Sequence, residues 1–147
     1  MKRLFVLLAT ALLAVMGSAT SAQAANPHVV KGPDVTVSGN TLTVTASIAG
    51  LGNVPSAKFS LAGSVDLFSR CFNHGGNKPQ ADNKQETVQV DETGTFPVRN
   101  GRTNVSFRIT PLSTLECPGK QEVRVVSLTW DLTLSGEGLT IPIEGSA

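Results

Sequence analysis

Val35-Thr36-Val37-Ser38-Gly39-Asn40-Thr41-Leu42-Thr43-Val44-Thr45-Ala46-Ser47-Ile48 is the stretch on which the fold turns. Apolar and hydroxyl residues alternate on both sides of Gly39-Asn40, the period of a half-buried β-strand rather than of a helix. Gly-Asn between two such runs reads as a two-residue hairpin loop. With that loop Val37 faces Leu42 and Val35 faces Val44, so the apolar faces of the two strands coincide. A slip of one residue would turn one apolar face out to water, which makes this register the favoured one.

The same alternation extends through the rest of the chain. After a turn from Gly50 to Pro55, Phe59, Leu61, Val65, Leu67 and Cys71 share one parity, and Gly63 in their midst predicts a bulge or bend. Val88 and Val90, then Phe96 and Val98, read as two strands joined by Glu92-Thr93-Gly94. Gly94 would take the left-handed position there, pairing Val90 with Phe96 and Val88 with Val98. Pro97 cannot donate to a ladder, so its strand is expected to be short or at an edge. Asn100-Gly101 turns the chain into Val105, Phe107 and Ile109. Val126, Leu128, Trp130, Leu132 and Leu134 line one face of a long strand. Val123 and Val125 have the other parity, which predicts a bulge near Val125-Val126. Leu139, Ile141 and Ile143 make a terminal strand. Two polar connections remain, Phe72 to Lys84 and Pro111 to Gln121, the first too long for a simple hairpin.

No stretch after Ala25 has helical periodicity, and about eight short strands with turns at short spacing predict an all-β chain. The expected architecture is a single antiparallel, immunoglobulin-like β-sandwich. Trp130 follows both cysteines, so the Cys…Trp…Cys order of true immunoglobulin domains is absent.

The N-terminus reads as a secretory signal, residues 1–24. Lys2 and Arg3 supply its positive start, and Leu4 to Met16 is an uncharged apolar run of about 13 residues, shorter than the roughly 20 that span a bilayer. Ala22-Gln23-Ala24 offers small residues on either side of Gln23 for cleavage after Ala24. The mature domain is then 25–147, roughly 123 residues, enough for one core. Without Lys2 and Arg3 the twelve Lys/Arg fall to ten against eleven Asp/Glu, so the mature net charge is about −1. The charges are scattered, with no basic stripe for nucleic acid, and no membrane association is expected of the mature form. Secretion to the extracellular space follows as the expected location.

Cys71 and Cys117 form an even pair, which in an exported chain predicts a disulfide. Closing a loop of about 46 residues constrains the unfolded chain by about 4 kcal/mol on the entropic model.

Catalytic templates fail on inventory. The mature chain has only His28 and His74 as imidazole bases, no Gly-x-Ser-x-Gly elbow, no P-loop and no dinucleotide fingerprint. Catalytic residues are accordingly expected to be none, as are cofactors. Asn73, Asn77, Asp82 and Asn83 gather oxygens in the Phe72–Lys84 connection, but only one carboxylate stands among them and Lys78 and Lys84 compete, so no metal is expected. Zinc lacks ligands. Phe59, Phe96, Phe107 and Trp130 all fall on apolar faces. Phe68 and Phe72 do not share the core parity, so one of them, exposed beside the long connection, is the candidate platform for a sugar.

Cys71-Phe72-Asn73-His74-Gly75-Gly76-Asn77-Lys78-Pro79, with Cys117-Pro118-Gly119 downstream, resembles small secreted β-domain proteins of actinomycete type. These carry a Cys-x-Asn-x-Gly-Gly-Asn-x-Pro loop followed by a Cys-Pro. The resemblance covers roughly Val65 to Leu134 and departs after Pro79, where Gln80-Ala81-Asp82-Asn83 replaces a Pro-Gly-Gln-Asn run. It implies a secreted β-domain with a disulfide and implies no activity.

The residues together favour a non-enzymatic secreted binding or structural module. Its partner is expected to be an extracellular protein or a cell-wall component. The candidate interaction loop is Asn73, His74, Asn77, Lys78 and Asp82, because long polar connections tend to be either functional or disordered. The alternatives are a small secreted hydrolase with a site near His74 and Asp82, and a loop-based Ca²⁺- or carbohydrate-binding module.

Overall fold

The computed structural model describes residues 25–73 and 79–147. The expected signal segment 1–24 and the loop residues His74, Asn77 and Lys78 lie outside them. Seven strands are described: β1 (His28–Ser38), β2 (Thr41–Ala49), β3 (Ser56–Phe72), β4 (Pro79–Pro97), β5 (Thr103–Ile109), β6 (Glu122–Gly136) and β7 (Leu139–Ser146). They form two antiparallel sheets, one ordered β1-β2-β5 and the other β4-β3-β6-β7. In the constant-type immunoglobulin arrangement the fourth strand would lie beside the fifth. Here β4 pairs with β3 instead, from Ser56↔Pro97 to Phe72↔Pro79.

The hairpin at Gly39-Asn40 has the expected register, Val37↔Leu42 and Val35↔Val44. Leu42, Val44, Ala46 and Ile48 of β2 therefore all point inward and are buried. They meet Phe59, Leu61, Val65 and Leu67 of β3 and Leu128, Trp130, Leu132 and Leu134 of β6 in one continuous core. Full burial of a side chain of this size contributes about 1.5–3 kcal/mol, so the alternation itself is the main stabilising pattern. Phe96 of β4 ties the layers together, its ring 6.3 Å from Phe59 and 5.4 Å, edge-on, from Phe107 of β5.

Two local expectations, at Gly94 and Gly63, are corrected, and the one for Pro97 is met. Gly94 makes no turn: it sits inside β4 opposite Phe59, and residues 88–98, expected as two strands, run as one apart from Val98 just beyond its end. Local turn chemistry loses because β3 offers a continuous ladder from Ser56↔Pro97 to Arg70↔Asn83, which runs straight past Gly94. Gly94 is there for space, since a Cβ would come 2.7 Å from the Phe96 ring. Merging the two strands is why seven elements replace the eight expected. Pro97 lies on an edge strand, as anticipated, at the end of 19 residues of β4. Gly63 carries no bulge; the register passes straight through it, with a Cβ there 2.2 Å from the Asp131 carbonyl oxygen.

The bulge predicted near Val125-Val126 is present, with Phe68↔Ser127 followed by Ser69↔Val125. It reverses the expected roles of the two valines. Val125 packs on the core and Val126, skipped by the ladder, is 44% exposed.

Candidate functional site

β3 and β4, with 17 and 19 residues, are far longer than β2 and β5, with 9 and 7. The four-stranded sheet therefore overhangs its partner at the end where Cys71 lies. Residues 110–121, free of regular structure, fold over the inner face of that overhang as a strap. Its start is pinned to the β1–β2 hairpin, where the Asn40 side-chain amide donates to the Pro111 carbonyl at 2.9 Å. Further along, the disulfide Cys71–Cys117 fastens it, with Cα atoms 5.6 Å apart, as the pairing of the two cysteines predicted.

Between these anchors Glu86 clasps the strap. It shares the inward parity of Val88 and Val90 and stands opposite Leu67. Its carboxylate accepts from the Ser113 hydroxyl at 2.7 Å, from the Thr114 amide at 3.0 Å and from the Thr114 hydroxyl, and Lys84 Nζ is 3.1 Å away. The Thr114 hydroxyl bond, with the Ser113 bond next, holds the Glu86 carboxyl well below its usual range, at about 2. Nothing in the spacing of Glu86, Ser113 and Thr114 announced this contact, because the partners lie 27 and 28 residues apart.

The expected interaction loop shrinks. β4 begins at Pro79, so the connection runs over residues 73–78 rather than 72–84. Asp82 belongs to β4, exposed, next to Asn83, which pairs with Arg70. Asn73 is exposed at the end of β3. The structure thus separates Asp82 from the connection on which it was expected. Asp82 and Asn83 border an open depression of about 650 Å³ with Leu115, Glu116, Cys117 and Pro118 of the strap. Among the described residues no group of three His, Cys, Asp or Glu is placed to hold a metal ion.

The outer face of the overhang is built from β3, β4 and β6. Phe68, Arg70 and Phe72 alternate with the inward Leu67, Ser69 and Cys71, so all three point outward. Arg70 lies over the Phe68 ring at 4.9 Å from its centroid, and Arg124 of β6 lies over Phe72 at 5.2 Å. Each guanidinium is within the range of a cation–π contact. The off-core parity of Phe68 and Phe72 was legible in the sequence; the arginines that cover them were not, because Arg124 arrives from another strand opposite Arg70. The Arg70 Nε is buried and makes no hydrogen bond among the described residues. The result is a half-covered aromatic–guanidinium surface beside the β3–β4 connection, suited to a planar or anionic group that can stack and accept hydrogen bonds.

The molecule is thus a disulfide-bonded antiparallel β-sandwich whose longer sheet is strapped at one end. No family model and no curated protein matches the chain. Among solved structures it is similar to the solution structure of R. palustris CsgH, at 18% identity over 79% of this chain and 85% of that one, with a TM-score of 0.24.

Proposed function

We propose that the chain is an exported, non-enzymatic binding module that engages an extracellular protein or a cell-wall component through the strapped end of the sandwich. One observation carries the reading. The strap is held by a disulfide, by the Glu86 clasp and by the Asn40–Pro111 bond, while the outer surface it braces carries two half-exposed phenylalanines under arginines. Binding residues are disproportionately carried where a rigid scaffold holds its connecting segments in place, as the strap is held here. Export is supported by the disulfide, which persists in oxidising compartments, and by the signal-like N-terminus.

The test is capture of the disulfide-intact protein by the host's isolated cell-wall fraction and by its secreted proteins. Two variants accompany the wild type, Phe68→Ala/Phe72→Ala and Asn73→Ala/His74→Ala/Asp82→Ala. Capture lost by at least one variant, at an unchanged melting temperature, is the expected result. Full capture by both would place binding elsewhere on the molecule. Turnover of an ester or glycoside panel that vanishes in His74→Ala or Asp82→Ala would replace the module with the hydrolase reading. Capture abolished by EDTA would favour a Ca²⁺-dependent one.

A further inference from the structure

At the end of the sandwich away from the disulfide lies a groove of about 590 Å³, lined by Lys31, Arg99 and Arg102 together with Ser47, Asn104 and the exposed apolar Val30 and Pro97. Its basic residues come together for reasons that can be read strand by strand. Arg99 and Arg102 flank Asn100-Gly101, and each donates its backbone N–H to the other's carbonyl, at 2.8 and 3.0 Å. Both turn residues have positive φ, 51° and 70°, which is the conformation that Asn and Gly tolerate in the tightest hairpin turns. Residues paired directly across such a turn project from the same face, so the two arginine side chains leave the turn together and both line the groove.

Lys31 arrives across the sheet. It pairs with Ser47 of β2, and Ser47 pairs with Asn104 of β5, one two-residue step from Arg102. With strands about 4.8 Å apart and a step of about 6.7 Å, Lys31 and Arg102 are within reach of a common point for their long side chains. The register of β1 shifts on both sides of Lys31. Irregularities of this kind on an edge strand re-aim a side chain. Gly32, at φ 80°, permits the distortion, because a Cβ there would lie 2.7 Å from the Thr45 carbonyl oxygen.

No carboxylate lines the groove, and none of the three cations forms an ion pair among the described residues. Asp34 borders only the adjoining shallow depression, which shares Lys31, Ser47 and Asn104 with the groove. In a domain with a net charge near zero, three unneutralised cations on one concavity are a concentration of charge without an internal partner. The Ser47 hydroxyl donates to the Asn104 side-chain carbonyl at 2.7 Å, which leaves the Asn104 amide hydrogens for another acceptor.

We propose that this groove binds a phosphate group carried on a body of about sugar size. Paired guanidiniums match the oxygens of a phosphate or carboxylate. A carboxylate has two oxygens, which one arginine alone can satisfy, and a single charge, which would leave two cations unneutralised. A phosphate monoester brings three free oxygens and nearly two charges to the three cations. The groove is much larger than the anion, and the exposed Val30 and Pro97 give the attached body apolar surface to lie on. The competing account is that Lys31, on an edge strand, and the two arginines only protect exposed edges from pairing with other chains. That account requires no ligand.

The experiment uses the disulfide-intact protein, titrated by calorimetry and by amide chemical shifts with glucose 1-phosphate, inorganic phosphate, glucuronate and glucose. Glucose 1-phosphate is expected to bind with shifts confined to Lys31, Ser47, Arg99, Arg102 and Asn104, and to weaken steeply as salt is raised. Glucuronate and inorganic phosphate should bind at least about tenfold more weakly, and glucose not at all. The variant Lys31→Gln/Arg99→Gln/Arg102→Gln should lose at least about tenfold in affinity. Arg99→Lys/Arg102→Lys, which keeps the charge and loses the paired forks, should lose part of it and stands in if the triple variant fails to fold. Absence of glucose 1-phosphate binding, equal binding of glucuronate or of inorganic phosphate, or unaltered affinity in the lysine variant would each overturn the proposal. The site is remote from the strapped end, so failure here leaves the reading of that end untouched.

Discussion

Glu86 is the side chain on which conditions act most directly. Its carboxyl titrates at about 2 in the folded protein against 4.5 ordinarily, chiefly because Thr114 and Ser113 donate to the ionised form. A folded-state value below the unfolded one means that its stabilising contribution is complete above about pH 4.5. The contribution is then lost as the pH falls toward about 2. The melting temperature of the wild type should therefore drop more steeply between those pH values than that of Glu86→Gln, measured by thermal unfolding at intervals across the range. Parallel curves would show that the clasp contributes nothing. A second residue-scale expectation concerns Leu132, fully buried between the sheets. Its truncation to alanine should cost about 2–5 kcal/mol in denaturant unfolding, the range for a leucine cavity in a core that cannot collapse.

Among the elements, β6 gives the sharpest test of register. The skipped residue is Val126, while Val125 turns in to the core. An aspartate at 126 should change stability by no more than about 0.5 kcal/mol, as on any open surface. An aspartate at 125 should cost more than about 1 kcal/mol, because its charge would be set against apolar neighbours. Equal costs would mean that the ladder does not skip Val126. β4 teaches the complementary point. Glu92-Thr93-Gly94 has the composition of a turn, yet Thr93 and Gly94 simply pair with Ser60 and Phe59. Turn residues set a preference of the order of a kcal/mol, and a continuous ladder beside a 17-residue strand outweighs it.

Across the whole molecule, the disulfide and the Glu86 clasp restrain the same strap from two sides. Replacing both cysteines by serine should destabilise the protein by about 4 kcal/mol, since the bridge closes a loop with a separation of 46. The strap would then be partly free, so Glu86→Gln should lower the melting temperature less in that background than in the wild type. Groups that share one restraint do not act additively, and thermal unfolding of the four proteins in the cycle measures the coupling. Additive losses would show that strap and sheet are held independently.

The alternation of Val35 to Ile48 around Gly39-Asn40, the parity of β3 and β6, the bulge beside Val126 and the partnership of Cys71 with Cys117 were all determined by the sequence alone. Each is governed by neighbours a few residues apart, by period-2 burial or by a count of two cysteines, so a linear reading reaches them. Phe68 and Phe72 were marked in the same way, by parity. The choice of β3 rather than β5 as the partner of β4, the merging of two expected strands into one, the clasp on Ser113 and Thr114 and the meeting of Lys31 with Arg99 and Arg102 were decided only by the tertiary structure. Those contacts join segments brought together by sheet pairing and overhang, where burial and long ladders outweigh local preference and no spacing in the chain records the result.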